Sequence, residues 1–192
     1  IVQNWNINPI VHMKLLNNQH VISDAGGSKI TDSYVLFKCS RKDNSSIIDT
    51  ICCSPTTARD LCQLSHQTMP SFFNPLHQNG EGHGIGGNHP HQSWNQCRKQ
   101  LYNIVLLLIA YFGSDKTNTP LYDIKIKLEE YTSFPPFFSY IKSVNTIIGN
   151  TKHGKFTNII NYLTENNNNL RNFPYELVLN ELNNNNIEQH FE

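Results

Sequence analysis

The residues with the greatest chemical capacity fall between positions 62 and 97. Cys62 and His66 are four residues apart, a spacing that on a helix projects both side chains from one face. Thiolate sulfur and imidazole nitrogen are donors that zinc takes in a tetrahedron, with bonds of about 2.0–2.3 Å. Cys97 opens a long apolar segment, and His83, His89 and His91 lie on the glycine-rich stretch leading into it. Any one of these histidines would complete four ligands with Cys62, His66 and Cys97. A closed set of that kind holds structural zinc; replacing one ligand by water makes the site catalytic. The contrary expectation is simple packing, since a reduced cysteine is among the most buried residue types. No paired Cys-x-x-Cys motif is present.

Two phosphate-directed readings share the same stretch. Gly82-x-Gly84-x-x-Gly87 precedes a helix whose free N–H groups attract anions, which makes Gly84, Gly86 and Gly87 candidate binding positions. No strand leads directly into these glycines and no Gly-Lys-Ser/Thr follows, so neither a dinucleotide fingerprint nor a P-loop is complete. A surface lid is the simpler expectation. The order His66, Pro70, Gly86-Gly87, Asn95, Cys97, Lys99 is similar to the pattern of HNH (ββα-metal) nucleases. That resemblance implies that His66 would activate water while His89 or His91 helps hold a divalent cation against a scissile phosphate. It is confined to residues 66–99. Ser65 stands where that family has an acidic residue, and the zinc-knuckle cysteine pairs are missing.

The element that must position these groups is Ser93–Gly113. Trp94, Cys97, Leu101, Ile104, Val105, Leu108 and Phe112 recur at three- and four-residue steps. Ser93 with Gln96 reads as a capping box, and Gly113 stands where a helix stops. Leu106, Ile109 and Tyr111 make the opposite face apolar too, so this helix should be buried all round. Its apolar run is shorter than the roughly 20 residues needed to span a bilayer.

Residues 8–53 read as an antiparallel β-meander with turns at Asn17-Asn18 and Asp24–Ser28. Thr57–Asp60 is a second capping box, opening a short helix that runs to about His66. Residues 74–92 are loop. After Gly113, Thr119-Pro120 opens a helix with Leu121, Ile124, Leu128 and Tyr131 inward; alternation over residues 124–128 leaves a strand as the alternative. Pro136 starts a helix with Phe137, Ile141, Val144 and Ile148 on one face. Further helices run from Phe156 to Leu163 and from Pro174 to Leu182. The asparagine runs at 166–169 and 183–186 read as exposed inserts, the second leading to a frayed end. The fold expected is α+β. An N-terminal antiparallel β-meander packs on a central buried helix (about 93–113), followed by a helical C-terminal half, all in one domain over 1–192.

Composition narrows the function classes. Lys plus Arg and Asp plus Glu both number 15, and no basic cluster is present, so net charge supports neither nucleic-acid nor anionic-membrane binding. Five cysteines without framework spacing point to reduced thiols and an intracellular, reducing compartment. The chain opens at Ile1 without a signal-peptide pattern, as expected of a processed chain or a fragment. Phe134-Pro135-Pro136-Phe137-Phe138 is either a helix corner packed into the core or an exposed apolar patch for a partner subunit, with Phe134, Phe137 and Phe138 at the interface. The function expected is a non-enzymatic interaction or accessory module of a larger protein or assembly, with a protein partner and a candidate zinc site. The alternative is a metal-dependent phosphodiesterase or nuclease using the His/Cys cluster at 62–97.

Overall fold

Trp5–Lys14 forms β1, the longest strand in a computed structural model that describes residues 1–77, 94–113 and 119–192. After it the chain reverses at Asn17-Asn18, with Asn18 left-handed at φ 64°. Val21–Ile22 (β2) and Lys29–Ile30 (β3) pair as a short ribbon, closed by Gly26 and Gly27 at positive φ. Ser33–Arg41 (β4) returns antiparallel to β1, and Ile48–Cys53 (β5) antiparallel to β4. Phe72–Phe73 (β6) adds a short parallel pairing to the far side of β1 at His12 and Met13. The sheet order β5-β4-β1-β6 is therefore mixed, because a segment that reads as loop between two prolines contributes its edge. Pro9 has no N–H for the ladder, and the β1–β4 register slips between Pro9 and Val11 to leave Ile10 as a bulge.

The outer edge of β5 is guarded by carboxylates. Asp24 donates its N–H to the Cys52 carbonyl and accepts the Cys52 N–H on Oδ2, both at 2.8 Å. Asp49 Oδ1 accepts the Thr50 N–H at 2.7 Å. These groups fill main-chain positions that a foreign strand would otherwise use.

Helix α1 (Pro55–Ser65) begins at Ser54, whose Oγ accepts the Thr57 N–H at 3.3 Å. The cap falls three residues before the Thr57–Asp60 box, because Pro55 has its φ pre-set and no N–H to satisfy, and so occupies the first helical position. Ala58 and Cys62 of α1 pack on Ile7, Val35, Phe37, Cys39 and Cys53 of the sheet. The helix ends in a Schellman motif. The His66 N–H donates to the Gln63 carbonyl at 3.3 Å and the Gln67 N–H to the Cys62 carbonyl at 2.9 Å, with His66 left-handed at φ 55°.

The chain divides into two compact units, Ile1–Pro75 with Phe112–Asn118, and Leu76–Tyr111 with Thr119–Glu192. The sheet and α1 make the first. The second is helical, so the expected α+β division into an N-terminal sheet and a helical C-terminal half is what the molecule shows. Helix α2 (Gln96–Phe112) is buried continuously from Ile104 to Ala110, which takes in every face. Its cap is Asn95, whose Oδ1 accepts the Arg98 N–H at 3.1 Å; Ser93, expected in that role, lies outside the described residues. Gly113 closes it at φ 64°, as its spacing requires.

Helix α3 (Thr119–Glu130) is helical through residues 124–128, where a strand was the alternative. Leu121, Ile124 and Leu128 are buried, but Tyr131 falls beyond the last turn and turns outward. Helices α4 (Phe138–Gly149), α5 (Phe156–Asn166) and α6 (Glu176–Asn184) follow, and α4 packs against α6. The first asparagine run is not a bare insert. Asn167 is buried with its Nδ2 on the Leu163 carbonyl at 2.8 Å, and Asn169 exchanges two hydrogen bonds with the His77 main chain. No helix among the described residues is long and apolar enough to cross a membrane.

The left-handed cap at His66 carries a direct consequence. Replacing His66 with glycine should raise stability by about 0.5–1 kcal/mol in urea unfolding, because glycine takes this conformation without the Cβ penalty. A loss of stability would show that the imidazole is held in place by more than the cap.

Candidate functional site

The helix end that seats His66 also separates it from Cys62. A Schellman cap takes residue 66 off the helical face, leaving the imidazole exposed while the Cys62 thiol is buried under the sheet. The four-residue spacing therefore does not set both side chains on one helical face, because α1 ends at Ser65. His66 instead lines an open cavity of about 420 Å³ with Trp5, Asn8, Lys42 and Gln67. Cys97 belongs to the second unit and is half-buried. Among the described residues no group of three or more His, Cys, Asp or Glu side chains is arranged to hold a metal ion. His83, His89 and His91, with Gly84, Gly86 and Gly87, lie outside the described residues.

Burial favours the protonated form of three thiols, Cys53, Cys62 and Cys97. Burial pushes the Cys53 thiol up to about 12, with further contributions from Cys62 and Asp24, and pushes Cys97 up to about 11, with Glu181 adding to it. Burial raises Cys62 in the same direction. A nucleophile or metal-ligating cysteine needs the thiolate, and desolvation favours the protonated form. No disulfide joins any of the five cysteines.

The organising group of the helical unit is one that its spacing did not flag. Arg98, in the first turn of α2, is 2% exposed. Its Nε donates to the Phe134 carbonyl at 2.6 Å and its Nη2 to the Pro135 carbonyl at 3.0 Å. Its Nη1 donates to the carbonyls of Lys127 and Leu128 at 3.1 and 3.0 Å. Main-chain carbonyls, not carboxylates, take every hydrogen bond this guanidinium makes among the described residues. Lys127 and Leu128 lie in the last turn of α3, where carbonyls lack intrahelical partners and the helix dipole is negative. Next to it, the Asn95 N–H donates to the Thr132 carbonyl at 2.8 Å.

Together Asn95 and Arg98 clamp the backbone from Thr132 to Pro135. The aromatic side chains in and beside that turn are largely exposed, while the Thr132 hydroxyl is buried. Tyr131 is 61% exposed, Phe134 64% and Phe137 66%, while Phe138 is half-buried. Phe137 stands as the N-cap of α4 and meets Tyr140 edge-on, ring centroids 5.6 Å apart. Tyr131 and Phe137, expected inward from their periodicity, are therefore exposed, and the Phe134–Phe138 cluster is not wholly packed into the core. No protein-family model, curated protein or solved structure matches this chain.

A second polar group in this unit is structural as well. Tyr102 of α2 donates to Glu129 Oε1 at 2.8 Å, and the buried Lys125 ammonium reaches Glu129 Oε2 at 2.8 Å. Burial, then the Glu129 charge, holds the Tyr102 phenol far above its ordinary range, so it is fixed as a donor. The contact ties α2 to α3 one turn beyond Arg98.

Two measurements follow from these environments. Arg98→Met should cost about 2–4 kcal/mol in urea unfolding, because the carbonyls it binds lose their donors. Arg98→Lys should recover only part, since an ammonium lacks the planar fork; full recovery by lysine would reduce the role to charge alone. The buried thiols also set an alkaline limit. Their folded pKa values lie above the ordinary value of 9.0. The unfolded chain therefore loses protons first as pH rises past 9, and the unfolding free energy should fall between pH 9 and 11. The stability that these groups contribute is intact below pH 9. A flat or rising profile across that window would contradict the burial assigned to Cys53 and Cys97.

Proposed function

We propose that this chain is a non-enzymatic protein-interaction module, working as part of a larger protein or assembly through the aromatic turn Tyr131–Phe138. One observation carries the reading: Phe134 and Phe137 expose about two thirds of their surface while the backbone beneath them is pinned by a buried arginine. Exposed large aromatics cost solvation in the free molecule, and interfaces are enriched in them. Pre-ordering the backbone removes part of the entropy lost on association, which is how a small aromatic surface gains affinity. The neutral charge balance favours a protein partner with an apolar groove over nucleic acid.

The test is site-specific photocrosslinking. A benzophenone amino acid at position 137 should yield one discrete protein adduct. Leu64, exposed on the other unit, serves as the control position and should not. Phe134→Ala should reduce the adduct by about fivefold or more, as truncation of an interface anchor does. Equal labelling from positions 64 and 137, or indifference to Phe134→Ala, would remove the basis for the proposal.

A further inference from the structure

The cavity beside His66 is built from three parts of the first unit. Trp5 and Asn8 come from the first half of β1, Lys42 follows the last residue of β4, and His66 and Gln67 close α1. β6 pairs with β1 only at His12 and Met13, so it does not reach the end of the strand where the cavity lies. A volume of about 420 Å³ falls in the range of small-molecule sites.

Two of its walls are fixed by the fold. Lys42 donates its N–H to the Asn4 carbonyl at 3.0 Å and its ammonium to the Val2 carbonyl at 2.8 Å, tying the chain before β1 to the end of β4. Trp5 packs against the cluster that Ala58 and Cys62 make with the sheet and stays half-buried. His66 holds a left-handed φ of 55° at a helix end where glycine is the usual residue. The chain therefore bears a Cβ penalty at a side chain that lines the cavity, and such retained strain points to function. Among the described residues, neither the His66 imidazole nor the Gln67 and Asn8 amides are drawn into an internal hydrogen bond.

The lining selects the kind of ligand. No Asp or Glu contributes to it. The end of α1 brings the negative pole of its dipole, about half a charge, to the same cavity as the Lys42 ammonium. The two oppose each other on any charged ligand, so a neutral one is favoured. What remains is an indole, primary amides and an imidazole. Primary amides both donate and accept hydrogen bonds, as hydroxyl groups do. The indole offers an apolar face to the C–H side of a ring.

We propose that this cavity is a saccharide site. A pyranose ring lies on the Trp5 indole, and its hydroxyls hydrogen-bond to Asn8, Lys42, His66 and Gln67. The site belongs to the first unit and does not rest on the aromatic turn of the second.

Titration followed through the indole N–H resonances of the intact chain tests this. The chain has two tryptophans, and Trp94, against the Tyr102 ring in the other unit, is the internal control. The probes are the methyl glycosides of glucose, galactose and mannose, and N-acetylglucosamine, with glycerol and inorganic phosphate as comparison arms. At least one sugar should shift the Trp5 signal saturably and leave Trp94 in place, while glycerol and phosphate should not. Gln67→Ala should weaken that sugar about fivefold, the loss of one hydrogen bond. His66→Gly should weaken it to a similar degree even though it relieves the left-handed strain. Circular dichroism checks that both variants fold; should one fail, the titration of the unaltered chain decides. No saturable Trp5 shift with any of the sugars overturns the proposal. So does a response to phosphate alone, or affinity unchanged in both folded variants.

Discussion

A buried guanidinium solvated by backbone carbonyls is the constraint on which the helical unit depends. Removing a cation from water costs several kcal/mol even after relaxation, and no carboxylate among the described residues offsets that cost for Arg98. The carbonyls that replace its hydration come from the frayed end of α3 and from the turn after it. Arginine suits this arrangement because its planar fork presents five donors in fixed directions, and four hydrogen bonds from it reach two different stretches of backbone at once. The start of α2, the end of α3 and the entry to α4 are set by one side chain.

Main-chain recognition recurs elsewhere in the molecule. Asn145 reads the main chain at Glu188 and His190 as Arg98 reads the aromatic turn, and Asp24 caps the edge of β5 in the first unit. In each case a side chain satisfies backbone groups that regular secondary structure leaves open. The outcomes differ in sign. At β5 the capped edge discourages further pairing, whereas at the aromatic turn the clamped backbone presents apolar rings to solvent. That asymmetry is the physical case for locating the proposed binding surface on the helical unit.

Much of the architecture was legible in the sequence because local signals agreed with burial. The apolar periodicity of α2, the faces of α4 and α5 and the strand-forming runs of β4 and β5 all report contacts that any compact packing would require. The misreadings share a cause: they are positions where a non-local partner decides. Tyr131 and Phe137 fit a buried stripe by spacing, but the backbone between them is held by Arg98, 36 residues from Phe134, and both rings are exposed. Adjacent polar residues compete to cap a helix, so Ser54 prevailed over Thr57 by geometry that composition does not encode. Cys62 and His66 do not share a helical face because a left-handed residue ended the helix one position early. An arginine in the polar first turns of α2, next to Lys99, was the visible signal for the central group, though nothing local distinguishes it from a solvated one. The histidines and glycines between 83 and 91 lie outside the described residues and leave that part of the candidate site where the sequence left it.

The most direct measurement is nuclear magnetic resonance of the Arg98 side chain in the intact protein. The account predicts a resolved Nε–H resonance, protected from solvent exchange and correlated across a hydrogen bond to the Phe134 carbonyl carbon. An Arg98 Nε–H exchanging with water as freely as that of an exposed arginine would contradict the clamp, and with it the reason for the aromatic turn to be held open.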